Sequence, residues 1–334
     1  MPCFTCGARR RIDRPVTDPL LHRRSLPPGG LVEMLPGADD GWPLRAMRWP
    51  GTGAAGARGS ILFLNGRGDF IEKYAESYWH WRARGFGVSV FDWRGQGLSG
   101  RLGDDPLKGD CFGFDPWLAD LDALIDWFMA TQPPPWFAVA HSMGGHLLLR
   151  HLENRHVLNR GGEFTRAALL APMIGIAGGR VAPAMLERLA RSAVRMGLGP
   201  RFAPMQGGDA QSRRSPARQV ILTSDVARFA DEGWWVDQIP ALALGGVTNR
   251  WLLHAFESTA ALSAPGVIER IKTPMLVFTA EHERLVDNRM IASLEARMPD
   301  AILEPVLGAA HELLRERDRV RGAVLARLDS FLVA

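Results

Sequence analysis

Ser142 lies in a setting that suits a catalytic nucleophile. Residues 136–150 read WFAVAHSMGGHLLLR, which is an apolar strand, a turn of small residues around Ser142, and a helix-forming segment. A serine at such a turn presents its hydroxyl at the positive end of the following helix. Small residues are needed two positions before and after it, and Ala140 and Gly144 meet this need. The pattern favours attack on an ester or amide carbonyl over an ordinary serine in a buried turn.

A nucleophilic serine needs a base, and the base needs an acid that orients it. His282 and His311 follow late apolar strands, and the loops after parallel strands meet at one edge of a sheet. The loop before His311 is short and rich in small residues, which favours this histidine as the base. Three carboxylates follow the preceding strand, and their spacing leaves the choice of acid open: Glu281, Glu283 and Asp287.

Negative charge that develops on the carbonyl oxygen must be met by fixed hydrogen-bond donors. The backbone N–H of Met143, at the start of the helix after the serine, is one candidate. The other is the N–H of Arg67, because Gly66 and Gly68 on either side permit close backbone approach. Chemistry of this kind requires no metal ion and no organic cofactor.

Short apolar runs alternate with helical segments along most of the chain. Continuous apolar strands of this kind are typical of a parallel sheet that is buried on both faces. We therefore expect an α/β fold with a mostly parallel central sheet and helices on both faces. The predicted strands are residues 60–65, 87–92, 136–141, 167–171, 274–279 and 301–306.

The alternation stops between residues 172 and 264, where Gly, Pro and Arg are frequent. This pattern predicts a helical lid inserted into a core of residues 31–171 and 265–334, preceded by a basic N-terminal arm of residues 1–30. The insertion carries three tryptophans that either fill its own small core or line an acyl pocket: Trp234, Trp235 and Trp251.

One helix of the predicted lid is amphipathic. Met185, Leu189 and Met196 share one face, and three arginines share another. We interpret the apolar face as packing on the core, with contact to a membrane or substrate as the alternative.

The composition is that of a globular protein, with 46% hydrophobic residues, 40 basic against 36 acidic residues, and three cysteines. The chain has no apolar run long enough to span a membrane and no signal-peptide pattern, and Cys3 and Cys6 have no second pair that would complete a zinc site. The basic clusters at residues 9–24 and 213–218 lack a nucleic-acid motif. Solvated surface is the favoured interpretation of these clusters, and contact with anionic lipid head groups is the alternative.

Several motifs occur together in one order along the chain. They resemble those of bacterial lysophospholipases of the monoacylglycerol-lipase type, which are serine hydrolases of the α/β-hydrolase superfamily. The resemblance runs from about residue 30 to the C-terminus. It is carried by residues 65–68 (NGRG), 92–101 (DWRGQGLSGR), 141–144 (HSMG), 221–225 (ILTSD), 245–251 (GGVTNRW), 283–288 (ERLVDN) and 308–312 (GAAHE).

This resemblance implies the α/β-hydrolase fold with Ser142 as nucleophile, His311 as base and Glu283 as the acid. It also implies a lysophospholipase that forms an acyl-enzyme, with a lysophospholipid or a monoacylglycerol as substrate. The alternatives are a monoacylglycerol lipase, a small-ester carboxylesterase, and a hydrolase-fold protein that binds a ligand without turnover. We expect a cytoplasmic protein with peripheral contact at the inner face of the membrane and no nucleic-acid partner.

Overall fold

A single eight-stranded sheet forms the centre of the described chain, with the order β1-β2-β4-β3-β5-β6-β7-β8. The computed structural model describes residues 19–51, 58–157, 162–179, 181–208, 214–298 and 300–334. The strands are β1 (Leu31–Pro36), β2 (Pro43–Trp49), β3 (Ser60–Leu64), β4 (Gly87–Phe91), β5 (Trp136–His141), β6 (Arg166–Leu170), β7 (Met275–Ala280) and β8 (Ala301–Val306).

The strands from β3 to β8 run parallel and confirm the predicted fold class. Every residue of β3 and β4 is buried, which explains why these strands read as unbroken apolar runs. Leu64 at the end of β3 pairs with Ala140, and His141 at the end of β5 pairs with Leu170. The carboxyl ends of β3, β5 and β6 therefore meet at one edge of the sheet, where the sequence places its candidate residues.

The first two strands were not predicted. β1 and β2 pair antiparallel with each other, and β2 pairs antiparallel with β4. Val32 and Met34 lie on the same face of the edge strand β1, and this face is exposed. An edge strand that is half exposed lacks the continuous apolar run that identified the inner strands.

Helices cover both faces of the sheet and build the segment between β6 and β7. None of the described helices is both long and apolar enough to cross a membrane. They are α1 (Pro19–Arg24), α2 (Ala75–Ala83), α3 (Asp115–Thr131), α4 (Met143–Val157), α5 (Pro183–Arg195), α6 (Pro216–Leu222), α7 (Val226–Gln238), α8 (Asn249–Ser263), α9 (Asn288–Arg297) and α10 (Asp318–Leu332).

The helix α5 corrects the interpretation of its apolar face. Its buried residue is Ala190, and Leu186 and Val194 pack against the core from the same side. Met185, Leu189 and Met196 are instead 48%, 49% and 66% exposed. The interpretation that these three residues pack on the core is wrong, because the small Ala190 allows the opposite face of α5 to approach the body.

The described part of the predicted N-terminal arm packs on the protein body. The ring of His22 stacks on Trp79 at 4.5 Å, and the side chains of Arg23 and Arg24 form ion pairs with Asp231 of α7. Residues 19–30 are therefore part of the folded structure, because their arginines have a buried carboxylate partner. The Cys3/Cys6 pair and the arginines at 9–14 lie outside the described residues.

We expect Gly144→Ala to destabilise the fold, because an added Cβ would lie 2.4 Å from the carbonyl oxygen of Leu64. Overpacking of this kind costs about 1–3 kcal/mol, which corresponds to a melting temperature several degrees lower. Gly322→Ala in α10 is the matched control, since a Cβ there meets nothing within 4 Å. It should leave the melting temperature unchanged or raise it slightly. Equal melting temperatures for the two variants would contradict the tight contact of α4 with β3.

Candidate active site

Ser142 lies at the sharp turn between β5 and α4. Its φ of 52° lies in the left-handed region, which is strained for a serine and is typical of a nucleophile presented at a strand-to-helix turn. Its backbone N–H donates to the Leu170 carbonyl at 3.0 Å, and its own carbonyl accepts from Met173 N–H at 3.0 Å. The neighbouring strand β6 and the chain that follows it therefore hold the strained residue in place.

A continuous hydrogen-bond chain leads from Ser142 to a carboxylate. The Ser142 Oγ lies 2.9 Å from His311 Nε2, and His311 Nδ1 lies 2.7 Å from Glu283 Oε2. Nδ1 donates to the carboxylate, so Nε2 is left to accept the serine proton. The side chains of His311 and Glu283 are 4% and 1% exposed, so that this chain is shielded from water.

The three carboxylates of the loop after β7 have three different partners. The second oxygen of Glu283, Oε1, accepts from the backbone N–H of Leu285 at 2.7 Å, which fixes the carboxylate under His311. Glu281 accepts instead from the N–H of Gly308 at 2.7 Å. Asp287 is the N-cap of α9 and accepts from the N–H of Arg289 at 2.9 Å. The structure therefore brings Glu283, and neither of the other two, to the imidazole.

Electrostatics favours the charged carboxylate and a more basic imidazole. Burial opposes ionisation of Glu283, but the His311 charge and hydrogen bond outweigh it and lower the pKa of Glu283. Burial likewise tends to lower the pKa of His311, but the charge and hydrogen bond of Glu283 outweigh it and raise that pKa. A histidine with a raised pKa is a stronger base for the serine proton.

The loop after β3 holds its backbone amides in a fixed arrangement. The N–H of Gly66 donates to Asp69 Oδ2 at 2.8 Å, and the N–H of Gly68 donates to the side chain of Gln96. A Cβ on Gly66 would lie 3.2 Å from the Ser142 Cβ, so the loop passes directly beside Ser142. Among the described residues, no protein acceptor bonds the N–H of Arg67 or of Met143. Both amides are thus available to a ligand oxygen.

His141 was missed in the sequence, although it directly precedes Ser142. Its Nε2 donates to the carbonyl of His311 at 3.2 Å, and its Nδ1 lies 3.1 Å from Tyr74 Oη and 3.3 Å from Asp69 Oδ2. The same Asp69 carboxylate also accepts from Gly66. His141 and Asp69 therefore connect the backbone of the candidate base to the loop that carries Arg67. Their side chains lack a spacing pattern, but the position of His141 beside the serine was a usable signal.

The buried cation Lys73 lies next to Asp69. Lys73 Nζ contacts Asp69 and Glu312, each at 2.6 Å, and Glu232 of α7 at 2.9 Å. Burial disfavours charge on Lys73, but the surrounding carboxylates outweigh it and raise the pKa of Lys73. Lys73 therefore remains charged and joins the loop after β3, the segment after His311 and the helix α7.

The three predicted pocket tryptophans occupy two places. Trp251 is 6% exposed, and the Arg67 guanidinium carbon lies 5.8 Å from the centre of its ring. Trp234 packs against Trp235 and under Arg24, and Trp235 donates to the carbonyl of Arg23. Trp251 thus lies beside the Arg67 side chain, whereas the other two pack on the N-terminal segment. No group of His, Cys, Asp and Glu in the described ranges is arranged to hold a metal ion.

Solved structures of two lipases share the fold of this chain. In the fold comparison, a soluble variant of monoglyceride lipase from Saccharomyces cerevisiae aligns with a TM-score of 0.69 at 19% identity, covering 90% of this chain and 94% of that chain. Paleococcus ferrophilus monoacylglycerol lipase aligns with a TM-score of 0.64 at 17% identity, covering 87% and 98%. At these identities the likeness shows the α/β-hydrolase fold.

Two curated bacterial proteins are similar in sequence. "Lysophospholipase L2" of Escherichia coli K12 is 32% identical over 283 residues, which cover 81% of this chain and 79% of that protein. "Probable lysophospholipase L2" of Haemophilus influenzae is 31% identical over 278 residues, which cover 81% and 83%. The family model described as "Serine aminopeptidase, S33" matches residues 55–318, which include the whole hydrogen-bond chain at Ser142. The chain belongs to this family of α/β hydrolases.

Proposed function

We propose that this ester hydrolase is a lysophospholipase, which cleaves the acyl ester of single-chain glycerophospholipids. The observation that carries the proposal is the hydrogen-bond chain from Glu283 through His311 to Ser142, at a strained turn beside the amide of Arg67. The two curated relatives support a lysophospholipid as the substrate, because both bear that activity in their names.

The residues would act in a fixed sequence. Ser142 Oγ attacks the acyl carbonyl while His311 Nε2 takes its proton, and the Arg67 and Met143 amides bind the oxyanion. His311 then protonates the leaving glycerol oxygen, which leaves the acyl group on Ser142. A water deprotonated by His311 cleaves this ester and releases the fatty acid, with Glu283 stabilising the imidazolium in both steps.

A monoacylglycerol lipase is the second candidate, favoured by the fold likeness to monoglyceride and monoacylglycerol lipases. The two activities use the same acyl chemistry and differ in the group attached to the glycerol. A small-ester carboxylesterase is a further rival, and the acyl-chain dependence of turnover separates it from both. Of the three tryptophans, Trp251 contacts the side chain of Arg67, which lies in the loop after β3. We therefore propose that the insertion that carries Trp251 covers the acyl chain of the substrate.

We expect kcat/KM to be higher for a long-chain lysophosphatidylcholine than for the monoacylglycerol of the same chain, and higher for both than for a short-chain 4-nitrophenyl ester. Burying each further methylene contributes about 0.8 kcal/mol before ordering costs, so turnover should rise with chain length. Ser142→Ala should lose at least about a thousandfold in kcat and should not react with a fluorophosphonate probe.

Turnover of these three substrates also decides between the lysophospholipase, the monoacylglycerol lipase and the carboxylesterase. A folded Ser142→Ala variant that still reacts with the probe would overturn the assignment of the nucleophile. A preference for the short ester with no chain-length dependence would favour the carboxylesterase. Turnover of the monoacylglycerol without turnover of the lysophospholipid would favour the second candidate.

We expect Glu283→Gln to shift the acid limb of the kcat/KM profile to lower pH. His311 must be neutral to act as a base, and its pKa is raised by the Glu283 charge, so the neutral amide should lower that pKa. The variant should also lose about a hundredfold or more in kcat, because the imidazole loses its orienting partner.

Asp287→Asn is the matched control for this experiment. Asparagine caps a helix about as well as aspartate, so α9 should keep its N-cap. The pH profile and kcat of this variant should resemble those of the unmodified protein. A loss of activity confined to Asp287→Asn would show that the wrong carboxylate has been assigned.

We also propose that α5 contacts the surface of an anionic phospholipid bilayer. Met185, Leu189 and Met196 are exposed along one side of the helix. Arg188 and Arg195 are exposed on the same helix and would face lipid phosphates. A stripe of exposed apolar side chains with flanking arginines is the pattern of a helix that lies in the membrane interface.

The double variant Met185→Glu/Leu189→Glu should bind vesicles of phosphatidylglycerol and phosphatidylcholine at least about tenfold more weakly, since two apolar side chains no longer enter the lipid. Sedimentation with vesicles measures this binding. Val226→Glu is the control, because Val226 is 65% exposed on a different helix, α7. Equal binding by both variants and the unmodified protein would exclude α5 as the contact.

A further inference from the structure

Arg67 is a half-buried cation in the loop beside Ser142. It follows Gly66, whose backbone passes the Ser142 Cβ. Its Nη1 donates to the carbonyl of Gly245 at 3.2 Å, and its guanidinium faces the ring of Trp251. No carboxylate in the described part of the chain forms an ion pair with it. The remaining N–H donors of this guanidinium are available to an anion.

Arg218 is a second such cation, on the helix α6. The last residues of α6 hold the segment of the candidate base: Ile221 O accepts from the N–H of His311 at 3.4 Å, and Leu222 O accepts from the N–H of Glu312 at 2.7 Å. Arg218 lies about one turn before these two carbonyls on the same short helix. Its Nε is buried without a hydrogen-bond partner, and no described carboxylate pairs with its guanidinium.

The two charges lie close enough to repel each other. Burial, followed by the positive charge of Arg218, lowers the pKa of Arg67 to about 10. The nearby carboxylates Asp69 and Glu232 offset this only in part, because both are already paired with Lys73. Arg67 and Arg218 are therefore two neighbouring cations that no described carboxylate pairs with directly.

Several arginines of the interior are matched by carboxylates. Arg45 pairs with Glu72 and Asp92, and Arg228 pairs with Glu76 among others. An unpaired guanidinium taken partly out of water is unfavourable, and two of them together are more so. An anion bound between them would remove this cost, and guanidinium groups suit the oxygens of a phosphate well.

We propose that Arg67 and Arg218 form a subsite for the phosphate of a single-chain phospholipid, which deepens and rests on the lysophospholipase function proposed above. In such a lipid only the glycerol unit separates the acyl carbonyl from the phosphate. With the carbonyl oxygen at the Arg67 amide, the phosphate comes within reach of the Arg67 side chain and, across the site, of Arg218. A fatty-acid carboxylate would instead occupy the position of the scissile carbonyl at Ser142. The pair thus selects substrates that carry a phosphate.

The test is the ratio of kcat/KM for lysophosphatidylcholine to kcat/KM for the monoacylglycerol of the same acyl chain. Arg218→Gln should lower this ratio at least about tenfold, mainly through a higher KM for the phospholipid, since a phosphate contact worth about 1.4 kcal/mol is lost. The ratio for Arg218→Lys should lie between those of the unmodified protein and of Arg218→Gln, because lysine keeps the charge but not the planar donors. Arg214→Gln is the matched control, because Arg214 is half exposed and already paired with Asp237. It should leave the ratio unchanged.

A second arm measures inhibition of a neutral ester substrate by glycerol 3-phosphate and by inorganic phosphate. Both should compete in the unmodified protein and in Arg214→Gln, and more weakly in Arg218→Gln. Competition by inorganic phosphate with an unchanged substrate ratio would assign the pair to free phosphate and overturn the head-group proposal. An equal loss on both lipid substrates would overturn it as well.

The two arms also separate this subsite from the proposed function. If the unmodified protein hydrolyses the monoacylglycerol but not the phospholipid, the lysophospholipase proposal fails on its own. The competition arm then still decides whether Arg218 binds a phosphate. Competition lost in Arg218→Gln supports the subsite, and absence of competition in the unmodified protein overturns it.

Discussion

The geometry of the site depends on the hydrogen bonds and the ion pair that the buried carboxylate of Asp69 forms. It accepts from the backbone N–H of Gly66, in the loop after β3, and from Tyr74 Oη, and it contacts Lys73 Nζ at 2.6 Å. Burial opposes its charge, but Lys73 outweighs burial and lowers the pKa of Asp69 well below its usual value. A carboxylate that stays ionised in the interior must be satisfied on every side, so its partners are fixed in position.

The Asp69 carboxylate holds the chain in place on both sides of Ser142. On one side it holds the loop that presents the Arg67 amide, and on the other it lies 3.3 Å from His141, whose Nε2 donates to the carbonyl of His311. The proposed oxyanion donor, the Arg67 amide, and the candidate base, His311, are thereby both held by contacts that lead back to Asp69. Preorganisation of this kind avoids the cost of ordering these groups during the reaction. It also gives a physical reason for a histidine directly before Ser142, where any small or apolar residue would satisfy the strand.

The sequence contained much of the fold and part of this site. Continuous apolar runs identified the six parallel strands, and the small residues around Ser142 identified the turn. The half-exposed strand β1 carries no such run and was missed. The acid could not be chosen from spacing, because Glu281, Glu283 and Asp287 differ only in what their oxygens meet after folding. The Lys73–Glu312 pair joins residues 239 positions apart, and no local pattern encodes such a contact.

The segment between β6 and β7 supports the residues around the candidate base. Its helix α7 is tied to the core by Glu232 on Lys73 and by Arg228, which pairs with Glu76 and Asp318. The last residues of α6 accept hydrogen bonds from the backbone of His311 and Glu312. The part of the segment that carries α6 and α7 therefore cannot move away from the core without breaking these bonds to the candidate base. The part of the segment that carries α5 differs. This helix packs on the body mainly through the small Ala190 and leaves its apolar side chains Met185 and Leu189 exposed. Support of the candidate base and the proposed contact with a lipid surface therefore fall on different parts of this segment, because α6 and α7 contact His311 and Lys73 while α5 exposes its apolar side chains.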